Sequence, residues 1–351
     1  MKKIVDIFCL LLCSWLISCD ATVHEYPTSG HVKLIVEAYT DLAMPELYYE
    51  YVCDAKAGNQ LLVRSGDESG SRVFDENVQL RFNFDLRRSI NSSTSQSVGK
   101  VVQFAAPDAE RPQAVAEFEP TPGVYKALIW CDYVSDQIGN DWYYKVSDLR
   151  TIVYTDVVPE DNDDKDAYTG VETVDLTPYI GAGEGHTVTV PVNLNRPLGR
   201  WRLVADDIAD FEAAGGNASA LWTRATYISF VSSGYNVESQ EPNLFDEPQS
   251  RTFFHPIYNR SSGEMTHDYI FVYGKESYVS LYLEFYEGDR KISSWNVPDV
   301  PLMRNRETLI HGRFLTSSSQ SGGIGIDPGF NGEHIVPVKR DEVPTNGILN
   351  K

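Results

Sequence analysis

Val124-Tyr125-Lys126-Ala127-Leu128-Ile129-Trp130-Cys131-Asp132-Tyr133-Val134 is the stretch on which the reading of the fold turns. Its alternate residues Tyr125, Ala127, Ile129, Cys131 and Tyr133 carry no charge, as the inward face of a strand requires when successive side chains point to opposite sides. Just before it, Glu119-Pro120-Thr121-Pro122-Gly123 reads as a turn, with proline fixing φ and glycine free to take positive φ. The same period of two recurs on both sides. Val32, Leu34, Val36 and Ala38 form one face of a first strand, Tyr49, Tyr51 and Cys53 one face of a second, and Val188, Val190, Val192 and Leu194 one face of a later one. Val279 to Tyr286 and Lys291 to Val297 read as a hairpin across Glu287-Gly288-Asp289-Arg290. The one expected helix lies in Ile208 to Ala220, with Asp206 or Asp207 as N-cap.

With 20 Tyr, 15 Phe and no sustained helical stripe, the chain is expected to be all-β. Its 351 residues suit two domains rather than one sandwich of roughly 100 residues. The expected division is residues 1–18 as a leader, 19–30 as a tether, 31–195 and 196–325 as two β domains, and 326–351 as a partly disordered extension. Within the first domain, Ser135 to Gly185 is expected to be irregular and Asn91 to Ser97 a polar loop.

The leader itself is legible. Lys2 and Lys3 precede an apolar run from Ile4 to Ile17, interrupted by Asp6 and too short to remain as a membrane span. It ends in Leu16-Ile17-Ser18-Cys19, which resembles a bacterial lipobox, the alternative being an ordinary signal peptide with a coincidental cysteine. The resemblance implies that Cys19 becomes the first mature residue and carries acyl chains. Each buried methylene contributes about 0.8 kcal/mol, so one chain holds weakly and several hold durably.

Composition and motifs exclude several function classes. The formal charge of −20 opposes any approach to nucleic acid, and no basic stripe offsets it. The seven histidines are scattered with no His-x-x-x-His pair, so no zinc or other metal site is expected. There is no Gly-x-Ser-x-Gly elbow and no phosphate loop; Gly181-Ala182-Gly183-Glu184-Gly185 reads as a flexible turn. No catalytic residue and no cofactor is therefore assigned, although paired glycosidase carboxylates need no local motif. The acidic run from Glu160 to Asp166 invites a calcium reading, but Lys165 breaks the EF-hand spacing and a solvated surface loop is expected. Trp142, Tyr143, Trp222 and Trp295 read as core or turn anchors, or else as platforms for sugar rings. Cys53 and Cys131 both fall on inward faces, either as a disulfide of an oxidising periplasm or as two buried thiols.

Three stretches carry a wider resemblance: Pro122 to Val134, Leu194-Asn195-Arg196-Pro197-Leu198-Gly199-Arg200, and Val300 to Thr316 with its Pro301-Leu302-Met303-Arg304-Asn305-Arg306-Glu307 start. In order and spacing over roughly residues 30 to 330 they resemble the fimbrial-subunit lipoproteins of the Bacteroidota, especially the fimbrial anchor (FimB-like) group. The resemblance implies two tandem transthyretin-like or Ig-like β-sandwich domains after a lipoprotein signal peptide. It also implies outer-membrane lipid held through acylated Cys19, display at the cell surface, and fimbrillin-type subunits as partners. In that family, shaft subunits are thought to lose their lipidated segment by cleavage after arginine, opening a groove for a donor strand. This chain has no arginine between Cys19 and Arg64, which fits an anchor that keeps its lipid and its first strand. The competing readings are a surface glycan-binding lipoprotein of a nutrient-uptake system and a β-sandwich hydrolase.

Overall fold

The computed structural model describes residues 30–64, 78–91, 94–107, 111–135, 141–155, 163–182 and 184–317. Cys19 and the lipobox, the start of the acidic run and the C-terminal extension lie outside the described residues. The chain is all-β: among the described residues there are twenty strands, named β1–β20 in chain order, and one short α-helix.

Two sheets enclose the first core. One is ordered β11 (Thr187–Asn193), β1 (Lys33–Tyr39), β6 (Gln113–Phe118) and the other β10 (Ala167–Asp175), β7 (Val124–Ser135), β4 (Val78–Ser89), β5 (Ser95–Ala105). The alternation read from sequence decides what they bury. Tyr125, Ala127, Ile129, Cys131 and Tyr133 of β7 all point into this core, where they meet Val32, Leu34, Val36 and Ala38 of β1.

The second core lies between β17 (Glu264–Phe271), β12 (Leu198–Ala205), β20 (Arg306–Gly312), β2 (Glu46–Cys53), β3 (Gln60–Val63) and the sheet β16 (Thr252–Pro256), β13 (Leu221–Tyr227), β18 (Glu276–Glu287), β19 (Arg290–Met303). The β18–β19 hairpin turns at Gly288, whose φ of +54° lies in the left-handed region that favours a residue without a Cβ. Helix α1 (Ile208–Ala213) follows Asp207. Asp207 does not cap it through its side chain; its carboxylate instead accepts from the backbone N–H groups of Leu315 and Thr316.

Here the structure corrects the sequence reading. Residues 46–63, expected within the first domain, are added to the second: β2 pairs parallel with β20 and antiparallel with β3. Tyr51 and Cys53 bury in the second core, and the Tyr51 hydroxyl donates to Pro298 O at 2.6 Å. Alternation marks which face of a strand is apolar but not which sheet receives it.

A fifth sheet joins the two halves, β15 (Glu241–Asp246), β14 (Val231–Asn236), β9 (Ile152–Tyr154), β8 (Tyr144–Lys145). Its pairing of Gly234 with Val153 and Tyr235 with Ile152 links strands from the two sides. Beneath it lies a third apolar cluster containing Leu128 and Trp130 from β7, Leu198 from β12, and Tyr269 and Phe271 from β17. Trp130 meets Tyr144 edge to face, with ring centroids 5.1 Å apart.

Candidate functional site

The site on which an anchoring role would depend is the first strand. β1 occupies the centre of its sheet, parallel to β11 on one side and antiparallel to β6 on the other. Val32, Leu34, Val36 and Ala38 are fully buried. The ladder continues past the strand's start, where Val32 N donates to Pro120 O at 3.0 Å and Lys33 N to His186 O at 2.8 Å. Outside the core, Lys33 pairs with Glu117 at 2.9 Å. Burial of Val32, Leu34 and Val36 contributes roughly 5–9 kcal/mol at about 1.5–3 kcal/mol per side chain, comparable to the net stability of a domain.

Arg64, the first arginine after Cys19, lies just beyond β3, and its guanidinium pairs with Glu50. A cut there would remove not only β1 but also β2 and β3, taking strands from both cores. No arginine-directed cut between Cys19 and Arg64 can free β1 alone.

Next to this strand's domain lies a buried ionic junction built from the end of the acidic run. Asp163–Lys165 forms a 3-10 turn, and Lys165 and Asp166 are fully buried. The Lys165 ammonium pairs with Asp268 of β17, which also accepts from the Tyr227 hydroxyl at 2.7 Å and the Tyr269 N–H at 2.8 Å. Trp201 Nε1 donates to the same Tyr227 oxygen at 2.8 Å. Asp166 receives Arg196 Nε at 2.7 Å and the Tyr168 hydroxyl at 2.9 Å. Arg196 also donates to Ala43 O at 2.8 Å and pairs with Asn305. Asp163 faces Arg200 and receives the Tyr269 hydroxyl at 3.0 Å, while Arg200 also pairs with Glu307.

The electrostatics follow from the geometry. Burial opposes the charge on Asp268, but Lys165 and Arg251 outweigh it and hold the carboxyl below its ordinary range. Burial likewise opposes Arg196 and Arg200, yet Asp166 and Glu307 respectively keep both firmly protonated. Residues 163–166 are therefore not the solvated loop that their composition suggests; they latch β17 and the 196–200 segment together. Among the described residues, no group of three or more His, Cys, Asp or Glu side chains is arranged to hold a metal ion.

The other sequence candidates fall as follows. Cys53 and Cys131 both point inward, but into different cores, and both are free, so the disulfide alternative is not realised. Burial pushes the Cys53 thiol up to about 12 and that of Cys131 well above its ordinary value. Tyr143 and Trp295 are core residues. Trp142 is partly buried and stacks at a tilt on Tyr143. Trp222 lies on the outer face of β13, its ring parallel to that of Tyr286 at 4.0 Å. An open depression of about 700 Å³ beside α1 contains Asp206, Glu212 and Arg260, the last two paired with each other.

Sequence reasoning missed β10, which runs antiparallel to β7 through nine residues. Gly170 at its centre interrupts the apolar pattern because Leu194 and Val192 press there; a Cβ would lie 2.8 Å from both side chains. It also missed Arg196, Arg200 and Glu307 as partners, although all three sit in the stretches that carried the family resemblance.

Fold and site together define an all-β protein of two packed cores, latched at a buried ionic junction, whose first strand is built into the middle of a sheet. Over residues 55–345 the chain matches, and belongs to, a family of unknown function, DUF6562. No curated protein matches it in sequence. Solved structures similar to it include three from the Bacteroidota. A protein from Bacteroides ovatus described as an adhesin is 13% identical, with 80% of this chain and 87% of that one covered and a TM-score of 0.41. A protein from Bacteroides thetaiotaomicron described as polysaccharide-binding (DUF1812) is 11% identical, with 76% and 80% covered and a TM-score of 0.41. The fimbrial anchor protein Mfa2 from Porphyromonas gingivalis is 10% identical, with 76% and 83% covered and a TM-score of 0.37.

Proposed function

We propose that the chain is a non-enzymatic cell-surface lipoprotein, a fimbrial subunit of anchor type. Acyl chains on Cys19 hold it in the outer membrane, and it contacts fimbrillin-type subunits by β-strand addition. The observation that carries this reading is β1. The strand begins fourteen residues after Cys19, is paired on both edges, and buries its whole apolar face. At no more than about 3.6 Å per residue, the intervening chain is a leash of at most roughly 50 Å. A subunit that must release this strand to polymerise needs a cleavage point upstream of β2, and the sequence supplies no arginine there. The strand and its lipid therefore stay together.

Mass spectrometry of the native protein's N-terminus, with crosslinking in intact cells, tests the reading. The expected result is an acylated Cys19, β1 present in the mature chain, and fimbrillin-type adducts. A mature chain that begins after Arg64 would refute it, as would an acylated chain whose adducts are only glycan-uptake components.

A further inference from the structure

We infer that the free edge of β5 is where the partner strand adds, and that its occupant is an extended segment of a fimbrillin-type subunit, apolar at alternate positions and acidic opposite Lys100. This rests on the anchor reading and names the edge that it uses.

An unpaired strand edge offers a row of free N–H and C=O groups, and proteins normally blunt such edges with proline, bulges, brevity or cover. Among the described residues nearly every edge strand is blunted. β11 carries Pro191, β19 carries Pro298 and Pro301, and β15 carries Pro242 with two register breaks. β16 is five residues ending in Pro256, β3 and β8 have four and two residues, and β6 carries the acid Glu117, already paired with Lys33, within its six. β17 is wholly buried, and β10 is buried over its first four residues, with Thr169 bridged to Asn195.

β5 has none of these devices over most of its length. It is eleven residues long without proline, and after a single register shift beside Val98 it pairs without interruption from Gly99 to Ala105. That run offers a partner roughly 23 Å of edge at about 3.3 Å per residue. Its outer face exposes three apolar side chains, Val98, Val102 and Phe104, each about half exposed, alongside the polar Gln96 and Lys100. Its inner face turns Val101 and Ala105 toward the first core. A strand laid beside it would continue both faces, since alternate side chains would cover Val102 and Phe104 outside and extend the core layer inside.

The charge pattern selects the occupant. In a chain with 50 acidic and 30 basic residues, β5 holds no acid and one base, Lys100, whose ammonium donates to Ser147 O at 2.7 Å. An acidic residue in the incoming strand meets a cation there instead of the repulsion that most of this surface would offer. A second copy of this chain, pairing through its own β5, brings no acid to that position.

The test uses the full-length lipoprotein in cells that assemble fimbriae. Three strains are compared with wild type: a deletion of the chain, the double substitution Val102→Lys with Phe104→Lys, and Leu61→Lys on the edge of β3. Lysine on an exposed edge is a natural blunting device, and both β5 positions are half exposed, so folding is checked by surface level and melting temperature. The expected result is at least tenfold more fimbriae shed into the medium from the deletion and from the β5 variant, with Leu61→Lys like wild type. A photo-crosslinking residue at position 104 is expected to capture the fimbrillin-type subunit. Shedding by the deletion but not by the β5 variant would overturn the edge assignment and leave the anchor reading standing. Retention in the deletion strain would overturn both. Adducts at position 104 joining only two copies of this chain would overturn the assigned occupant.

Discussion

Lys165→Met probes the ionic junction most directly. Lys165 and Asp268 are each fully buried, and the substitution keeps much of the side-chain volume while removing the positive charge closest to Asp268. Breaking a buried pair by deleting one partner typically costs about 3–5 kcal/mol, because the surviving charge is left in a medium that cannot solvate it. Here Asp268 keeps hydrogen bonds from Tyr227 and Tyr269 N, and Arg251 lies 3.8 Å from its second oxygen, so the lower end, about 3 kcal/mol, is expected. At about 2 °C per kcal/mol for a chain of this size, that lowers the melting temperature by roughly 6 °C. Urea unfolding followed by tryptophan fluorescence suits the question, since Trp201 reaches Asp268 through the Tyr227 hydroxyl. The companion Asp268→Leu and the double substitution complete a cycle. The double variant should recover most of the loss, with a coupling of about 2 kcal/mol or more, because replacing both partners with apolar groups removes the stranded charge. A loss below about 1 kcal/mol in the single variant, or strict additivity in the double, would refute the claim that this pair is an energetically coupled latch.

Acid should open the same junction. Asp268 is held below its ordinary range, so it contributes stability that is present above the unfolded value near ~3.9 and lost as pH falls through the folded value; acid unfolding monitored by circular dichroism should begin below about pH 4, and at higher pH in Lys165→Met. Gly312→Ala should cost about 1–3 kcal/mol, because a Cβ there would stand 2.4 Å from the Cys53 carbonyl oxygen across the β2–β20 pair, whereas Gly123→Ala, with 3.5 Å to its nearest neighbour, should be close to neutral in the same urea titration. With two free, buried thiols, a chain lacking residues 1–19 should show almost no reaction with a thiol reagent while native and two equivalents in urea; no equivalents in urea without reductant would restore the disulfide.

Much of the fold was legible because alternation is a local signal. The uncharged faces of β1, β7 and β11 and the Gly288 hairpin could be read directly, since each strand's inward side chains are decided by the pleat. What could not be read depended on partners distant in sequence. β2 looks like any half-buried strand, and only its pairing with β20, some 260 residues later, places it in the second core. β10 hides behind Gly170 and two acids, and β5 starts inside a polar stretch that reads as a loop because its outer face needs no apolar residue until Val98. Residues 163–166 misled for the same reason: a charge run is solvated only if no opposite charges meet it, and Arg196, Arg200 and Asp268 arrive from elsewhere in the chain.

Those distant partners also bear on why an anchor would keep this N-terminus. After β1 completes the first core, the chain crosses at once to lay β2 and β3 into the second, and Arg196 ties the two by reaching Ala43 O in the crossing segment as well as Asp166. Were Cys19 lipidated as proposed, tension from the membrane would load β1 along its own axis against the ladders to β11 and β6 on both sides. In that direction many backbone hydrogen bonds resist together, rather than opening one after another from an end. The next strand would pass the load to the second core through the parallel β2–β20 ladder. A donor-strand exchange subunit needs the reverse, a first strand that leaves without disturbing its neighbours. In this chain the first strand, the crossing segment and the ionic junction are one connected structure, so on the anchor reading proposed above the geometry that would make a poor polymer unit is the geometry that would suit a fixed base.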